Sequence, residues 1–149
     1  MAIGEICNRE VVYVERDTTV HAACKLMRHY HVGSLVVVDE VGGGRVPAGM
    51  LTDRDIVVEV DAMDLDPKVI TAADVMSQEL ITVQENLGVL ETIEVMRLKG
   101  VRRVPVVGSD QCLIGIVTID DLLEVLAEEL TGIVHIVSRG QSHEQRARR

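Results

Sequence analysis

The sequence predicts an α/β fold made of two βαββα repeats that pack together as a pseudo-two-fold pair. Three observations carry this. Short valine-rich runs, such as Val11–Val14 and Ser34–Val38, alternate with stretches whose apolar residues recur at helical spacing. The whole pattern returns after a shift of 69 residues. The motif Gly-φ-φ-Thr-x-x-Asp, where φ is apolar, occurs twice, at Gly49–Asp55 and at Gly115–Asp121.

Taken in order, Val11–Val14 reads as a short strand, and Asp17-Thr-Thr19 supplies cap residues for a helix from Val20 to about His29. Val20, Ala23, Cys24 and Met27 form its apolar face. Ser34–Val38 reads as a buried strand, and Gly42-Gly-Gly44 as a turn into a strand over Ala48–Leu51. A capped helix over 53–60 follows, and the polar stretch Asp61–Pro67 joins the halves. In the second copy Val14 returns as Val83, Met27-Arg28 as Met96-Arg97, and Val37-Val38 as Val106-Val107. Beyond the hairpin the shift shortens to 66, because the first turn is three residues longer. The repeats run over 1–68 and 69–134, with a polar, arginine-rich tail over 135–149. Each repeat alone would expose an apolar sheet face, so the two are expected to pack as one unit.

Thr52 with Asp55, and Thr118 with Asp121, have capping-box spacing, in which each side chain satisfies an orphan amide at a helix start. That is the plain reading of one copy. Two copies in matching contexts, each behind a glycine that lets a ligand approach the backbone, add a second. A helix start offers amides to a phosphate, and an aspartate accepts hydrogen bonds from ribose hydroxyls. The pairing of Thr and Asp therefore suits a ribose phosphate.

Composition limits the alternatives. The 149 residues carry a net charge of −9, 47% of them are hydrophobic, and the only aromatic side chains besides histidine are Tyr13 and Tyr30. An acidic body nearly free of aromatics argues against a nucleic-acid binder, which needs a basic face and stacking platforms. The stretch 139–149 alone is basic, with four arginines against Glu144; it reads as a solvated, disordered terminus or as a contact for an acidic partner. Cys7, Cys24 and Cys112 are odd in number and unpaired in spacing, which fits a reduced, cytoplasmic protein. No apolar run reaches membrane-spanning length and no signal peptide is visible. His29 and His31 are poorly spaced for one helix face, no cysteine lies nearby, and hydrolase, metalloprotease and P-loop motifs are missing. The reading is of a protein that is not an enzyme and holds no metal.

The two Thr/Asp motifs, the Asp74-Val-Met76 opening of the second half and Val104-Pro-Val-Val107 after its first helix together resemble a tandem pair of CBS domains, a Bateman module. The resemblance covers residues 1 to about 134. It implies an adenosyl-ligand sensor taking AMP, ADP, ATP or S-adenosylmethionine in two clefts between the repeats, with no other cofactor. It further implies that cleft one joins Thr52 and Asp55 to Met76, Ile81, Val101 and Arg102, and that cleft two joins Thr118 and Asp121 to Cys7, Val12, Val32 and Gly33. Arg102 and Arg103 align with basic, phosphate-contacting positions of nucleotide-binding members, and Arg54 adds a guanidinium, whereas the first repeat has Gly33 and Ser34 there. A phosphorylated ligand is therefore expected in cleft one; the plain alternative is that these arginines are ordinary surface residues. Cleft two would be empty or take a less charged ligand. The resemblance also implies a homodimer formed through helices, with Asp121–Leu130 apolar enough to serve, and regulation of an unidentified partner protein. The competing expectation is a ligand-free interaction subunit in which both Thr/Asp pairs are only caps.

Overall fold

The computed structural model describes residues 1–148. It consists of α1 (Ile3–Ile6), β1 (Tyr13–Glu15), α2 (Val20–Tyr30), β2 (Ser34–Val41), β3 (Gly44–Thr52), α3 (Asp53–Ile56), α4 (Ala72–Val75), β4 (Val83–Gln84), α5 (Val89–Lys99), β5 (Arg103–Val107), β6 (Leu113–Thr118) and α6 (Ile119–Ala147). The strands form two three-stranded sheets, ordered β1-β2-β3 and β4-β5-β6. β1 and β2 are parallel with Val14 opposite Val37, and β4 and β5 repeat this with Val83 opposite Val106. Both pairings obey the 69-residue shift. Leu35 to Val38 are buried without a break, as expected of a strand covered on both faces.

Local chemistry explains most element ends. Thr19 Oγ1 accepts a hydrogen bond from the Ala22 amide at 3.2 Å and starts α2. β2 turns into β3 through Gly42 and Gly43, with φ of 58° and 82°; positive φ at both central residues matches the right-handed twist of a two-residue hairpin. Helix α2 ends on His31 in the left-handed region (φ 55°), whereas α5 ends on Gly100 (φ 66°) at the equivalent place in the second repeat. Glycine adopts that conformation without the Cβ clash that costs other residues about 1–2 kcal/mol. His31→Gly is therefore expected to stabilise the protein by about 0.5–1 kcal/mol, after allowing for glycine's greater freedom when unfolded. Urea titration of the two proteins measures the difference.

The structure departs from the sequence reading in three ways. Each repeat opens with an extra helical turn, α1 or α4. The helix expected over 53–60 is α-helical only to Ile56 and continues as a π-helical turn over Val57–Asp61, with the Ala62 amide on the Val57 carbonyl at 2.9 Å. The wider turn leaves Val60 buried while Val57 and Val58 face solvent. Residues 135–147, within the polar, arginine-rich tail whose basic end was expected to be solvated and disordered, belong to α6, a helix of 29 residues. They contain no proline, and Ser138 and Ser142 turn their hydroxyls back onto the carbonyls of Val134 and Ser138. The described residues divide into two compact units, Met1–Val117 and the stretch from Thr118 onward.

Within the first unit the two repeats exchange their opening segments. Ser77, just after α4, bridges to Met50 of β3, and Asn8, just after α1, bridges to Ile116 of β6. The amides of Ile3 and Gly4 bond the carbonyls of Leu87 and Glu85, and those of Ala72 and Ala73 bond Thr18 and Arg16 in the same relation. This reciprocity explains the motif glycines. A Cβ on Gly49 would lie 2.8 Å from the Ser77 carbonyl oxygen and 2.7 Å from Met76 Sδ. One on Gly115 would lie 2.7 Å from the Asn8 carbonyl oxygen and 2.6 Å from Cys7 Sγ. The expectation that these glycines admit a ligand is corrected: the space is filled by the opposite repeat. Gly49→Ala is expected to cost about 1–3 kcal/mol, because a backbone carbonyl cannot swing aside as a side chain can; chemical denaturation would show it.

Candidate functional site

Both Thr/Asp pairs form reciprocal caps. The Asp55 amide donates to Thr52 Oγ1 at 3.1 Å, and the Thr52 amide donates to Asp55 Oδ2 at 3.0 Å. In the second unit the Asp121 amide donates to Thr118 Oγ1 at 3.3 Å, and the Thr118 amide and hydroxyl both donate to Asp121 Oδ2 at 2.9 Å. A third cap of this kind, at Thr71–Asp74, was not singled out from the sequence. There the backbone amide and then the hydroxyl of Thr71 hold the Asp74 carboxyl below its ordinary range.

In the first unit Thr52 stands at the rim of a cavity of about 290 Å³. Its wall joins the first repeat (Gly33, Met50, Thr52, Asp53) to the second (including Ile81, Val101, Arg102 and Arg103). The local reason is the strand exchange: the Met50–Ser77 bridge draws the segment after α4 beside the end of β3. The Arg103 guanidinium donates from Nη1 to Ser34 Oγ at 2.6 Å, so a cationic side chain of one repeat is held by its counterpart position in the other. Arg102 is exposed at the same wall. Apolar carbon from Ile81, Leu80 and Val101 faces these polar groups, which suits a ligand with a flat apolar part and an anionic part.

Four of the expected cleft-one residues, Thr52, Ile81, Val101 and Arg102, line this cavity, as does Arg103. Asp55, the capping partner of Thr52, and Arg54 are not among the lining residues; Arg54 is exposed, with its amide on Asp53 Oδ1 at 2.8 Å. Met76 is buried in the apolar cluster of the first repeat, where it packs with Leu35, Leu51 and Ala72. Asp53, Glu79 and Ser77 also line the wall, and the sequence reading did not single them out. The aspartate at 53 carries a weak signal, being the first residue after the cap; Glu79 carries none, because only the exchange of segments brings it there.

Of the residues expected in cleft two, Val12 and Val32 line a second, larger cavity of about 670 Å³ together with Asn8, Glu10, Tyr13 and Tyr30. No arginine or lysine lines it. Gly33 lies on the first cavity, where a Cβ would stand 3.0 Å from Asp53 Oδ2. Cys7 is half-buried, its thiol 3.6 Å from the Gly4 carbonyl and beside Gly115. Thr118 and Asp121 belong to the second unit. Cys24, expected in the core, is half-buried on α2, and that burial pushes its thiol pKa up.

The sequence pattern of the CBS domain matches residues 3–62 and 72–128. The chain is 40% identical over 126 residues to the uncharacterised protein MK0525 of Methanopyrus kandleri, covering 84% of this chain and 62% of that protein's length. It is 38% identical over 124 residues to hypoxic response protein 1 of Mycobacterium tuberculosis, covering 83% and 84% of the two chains. A crystal structure of hypoxic response protein I with two coordinated zinc ions has a TM-score of 0.72 at 35% identity, over 83% of this chain and 98% of that one. The cytosolic domain of the Mg2+ channel MgtE, solved in complex with ATP, has a TM-score of 0.70 at 28% identity, over 83% of this chain and 48% of that one. With a reciprocal exchange of opening segments between its repeats and two family matches that span most of its length, this chain belongs to the CBS domain family.

Proposed function

We propose that the protein is a regulatory sensor that binds an adenosyl ligand, with AMP, ADP and ATP favoured over S-adenosylmethionine at the cavity bearing Arg102 and Arg103. The observation that carries this is the pairing, in one cavity, of an apolar wall with two arginines, which stand there beside the carboxylates of Asp53 and Glu79. Guanidinium groups bind phosphate oxygens through paired, charge-assisted hydrogen bonds. The ATP complex of the related MgtE domain supports the ligand class. The second cavity, which Glu10 lines without a cation, would suit a less charged ligand. Because Arg103 is bonded across the repeats to Ser34, a phosphate that recruits its guanidinium would alter that link. Occupancy would thereby favour one arrangement over another and alter affinity for a regulated partner protein.

A second reading has its own observation. Each Thr/Asp pair already satisfies a helix start without any ligand, as an interaction subunit with plain caps would require. Isothermal titration with AMP, ADP, ATP and S-adenosylmethionine separates the two, beside Asp55→Ala and Asp121→Ala variants checked for folding by circular dichroism. Binding in the micromolar range, weakened in one variant, supports the sensor and identifies the working cleft. No heat with any of the four ligands, from nucleotide-free protein, leaves the interaction subunit.

A further inference from the structure

Charges of both signs line the first cavity: Arg102, Arg103 and Glu79 from the second repeat and Asp53 from the first. The ion pairs among the described residues join Arg16 to Asp39 and Arg97 to Glu94, so neither cavity arginine is neutralised by either cavity carboxylate. All four groups therefore act on whatever enters. The lining includes no lysine, no histidine and no third arginine.

The Asp53 carboxylate is fixed in place. Its backbone amide donates to the Gly33 carbonyl at 3.0 Å, and its Oδ1 accepts from the Arg54 amide at 2.8 Å. Its Oδ2 stands where a Cβ on Gly33 would come within 3.0 Å. Ser34, the next residue, accepts from Arg103 Nη1 at 2.6 Å. A held anion and a held cation thus stand against neighbouring residues of the first repeat. Glu79 is exposed, on the segment that the Met50–Ser77 bridge draws to the wall.

Two guanidinium groups can share the oxygens of a single phosphate. Each further phosphate adds negative charge, finds no other cation in the lining, and meets two carboxylates. Like charges set side by side discriminate between ligands by repelling one of them. We infer that Asp53 and Glu79 select the ligand by its charge, admitting the nucleoside monophosphate and disfavouring the free triphosphate. The inference rests on the sensor reading proposed above and adds which nucleotide the cavity prefers. Both carboxylates are exposed, so the effect is screened by salt and moderate in size.

The test is calorimetric titration of full-length, nucleotide-free protein with AMP, ADP, ATP and adenosine in chelator-treated buffer. AMP is expected to bind about tenfold more tightly than ATP, with ADP between them, and added salt is expected to narrow the gap. The Asp53→Asn, Glu79→Gln protein keeps the size of both side chains, and Asn keeps an oxygen for the Arg54 amide. In it the affinities for AMP and ATP are expected to come within about threefold, mainly through tighter ATP binding, with adenosine unchanged. Loss of a merely structural contact would move all four ligands alike. Parent protein that binds ATP as tightly as AMP, or a ratio unchanged in the double variant, overturns the inference while leaving the sensor reading intact. ATP binding that rises with Mg2+ in the parent and falls in the double variant overturns it too, because the carboxylates would then hold a cation with the nucleotide. Silence with all four ligands overturns the sensor reading and the inference with it.

Discussion

Replacing Arg102 and Arg103 together with alanine is expected to weaken binding of AMP, ADP or ATP by about 100-fold. A hydrogen bond to a charged group contributes about 1.5–3 kcal/mol, and the low end applies here because Arg102 is exposed and Arg103 only half-buried. Each lost guanidinium then costs about tenfold, at 1.4 kcal/mol per decade. Adenosine, which has no phosphate, is expected to lose far less. That difference makes the experiment specific, because a general collapse of the cavity would weaken both ligands alike. Arg103→Ala also removes the bond to Ser34, so Ser34→Ala serves as the control for that contact alone. Calorimetric titration of the four proteins with each ligand decides the matter. Undiminished nucleotide affinity in the double variant would place the phosphate elsewhere.

Leu51→Ala is expected to destabilise the fold by about 2–5 kcal/mol, the range for deleting a leucine side chain whose neighbours cannot close the gap. Leu51 is fully buried at the end of β3, in a cluster with Val14, Ala23, Met27, Leu35, Val37, Ala72 and Met76. Ala72 and Met76 come from the second repeat, so the cavity would open where the repeats hold each other. Leu98 is 70% exposed on α5, and Leu98→Ala is expected to change stability by less than about 0.5 kcal/mol. Urea unfolding of both variants checks the contrast. A small change for Leu51→Ala would mean that the repeats relax toward each other far more than a close-packed core allows.

Much of this architecture was legible in the chain because its signals are local or repeated. Thr19, Thr52 and Thr118 act within three residues of themselves, so their caps follow from spacing alone. The 69-residue shift reappears as matched strand registers, Val14 with Val37 and Val83 with Val106. The resemblance to the CBS family brought Ile81, Val101, Arg102 and Arg103 together with Thr52, and all five line one cavity. The π-helical turn after Ile56 was not legible. Its apolar residues satisfy an α-helical pattern equally well, and only the hydrogen bond from the Ala62 amide to the Val57 carbonyl, five residues back, distinguishes the two.

By itself the sequence determined the α/β class, the duplication, the caps and an uneven distribution of cations between the repeats, because each depends on residues close in the chain or on a periodicity that can be counted. Tertiary structure alone decided the rest. Gly49 and Gly115 are small because Ser77 and Asn8, from the opposite repeats, press against them, and no local pattern reports a neighbour 28 or 107 residues away. Asp53 and Glu79 reach the cavity, and Met76 leaves it for the core, only once the opening segments have been exchanged. For the stretch 135–147 the sequence left helix, strand and disorder open. That stretch continues a helix already begun at Ile119, where extending an existing helix avoids the cost of nucleating a new one.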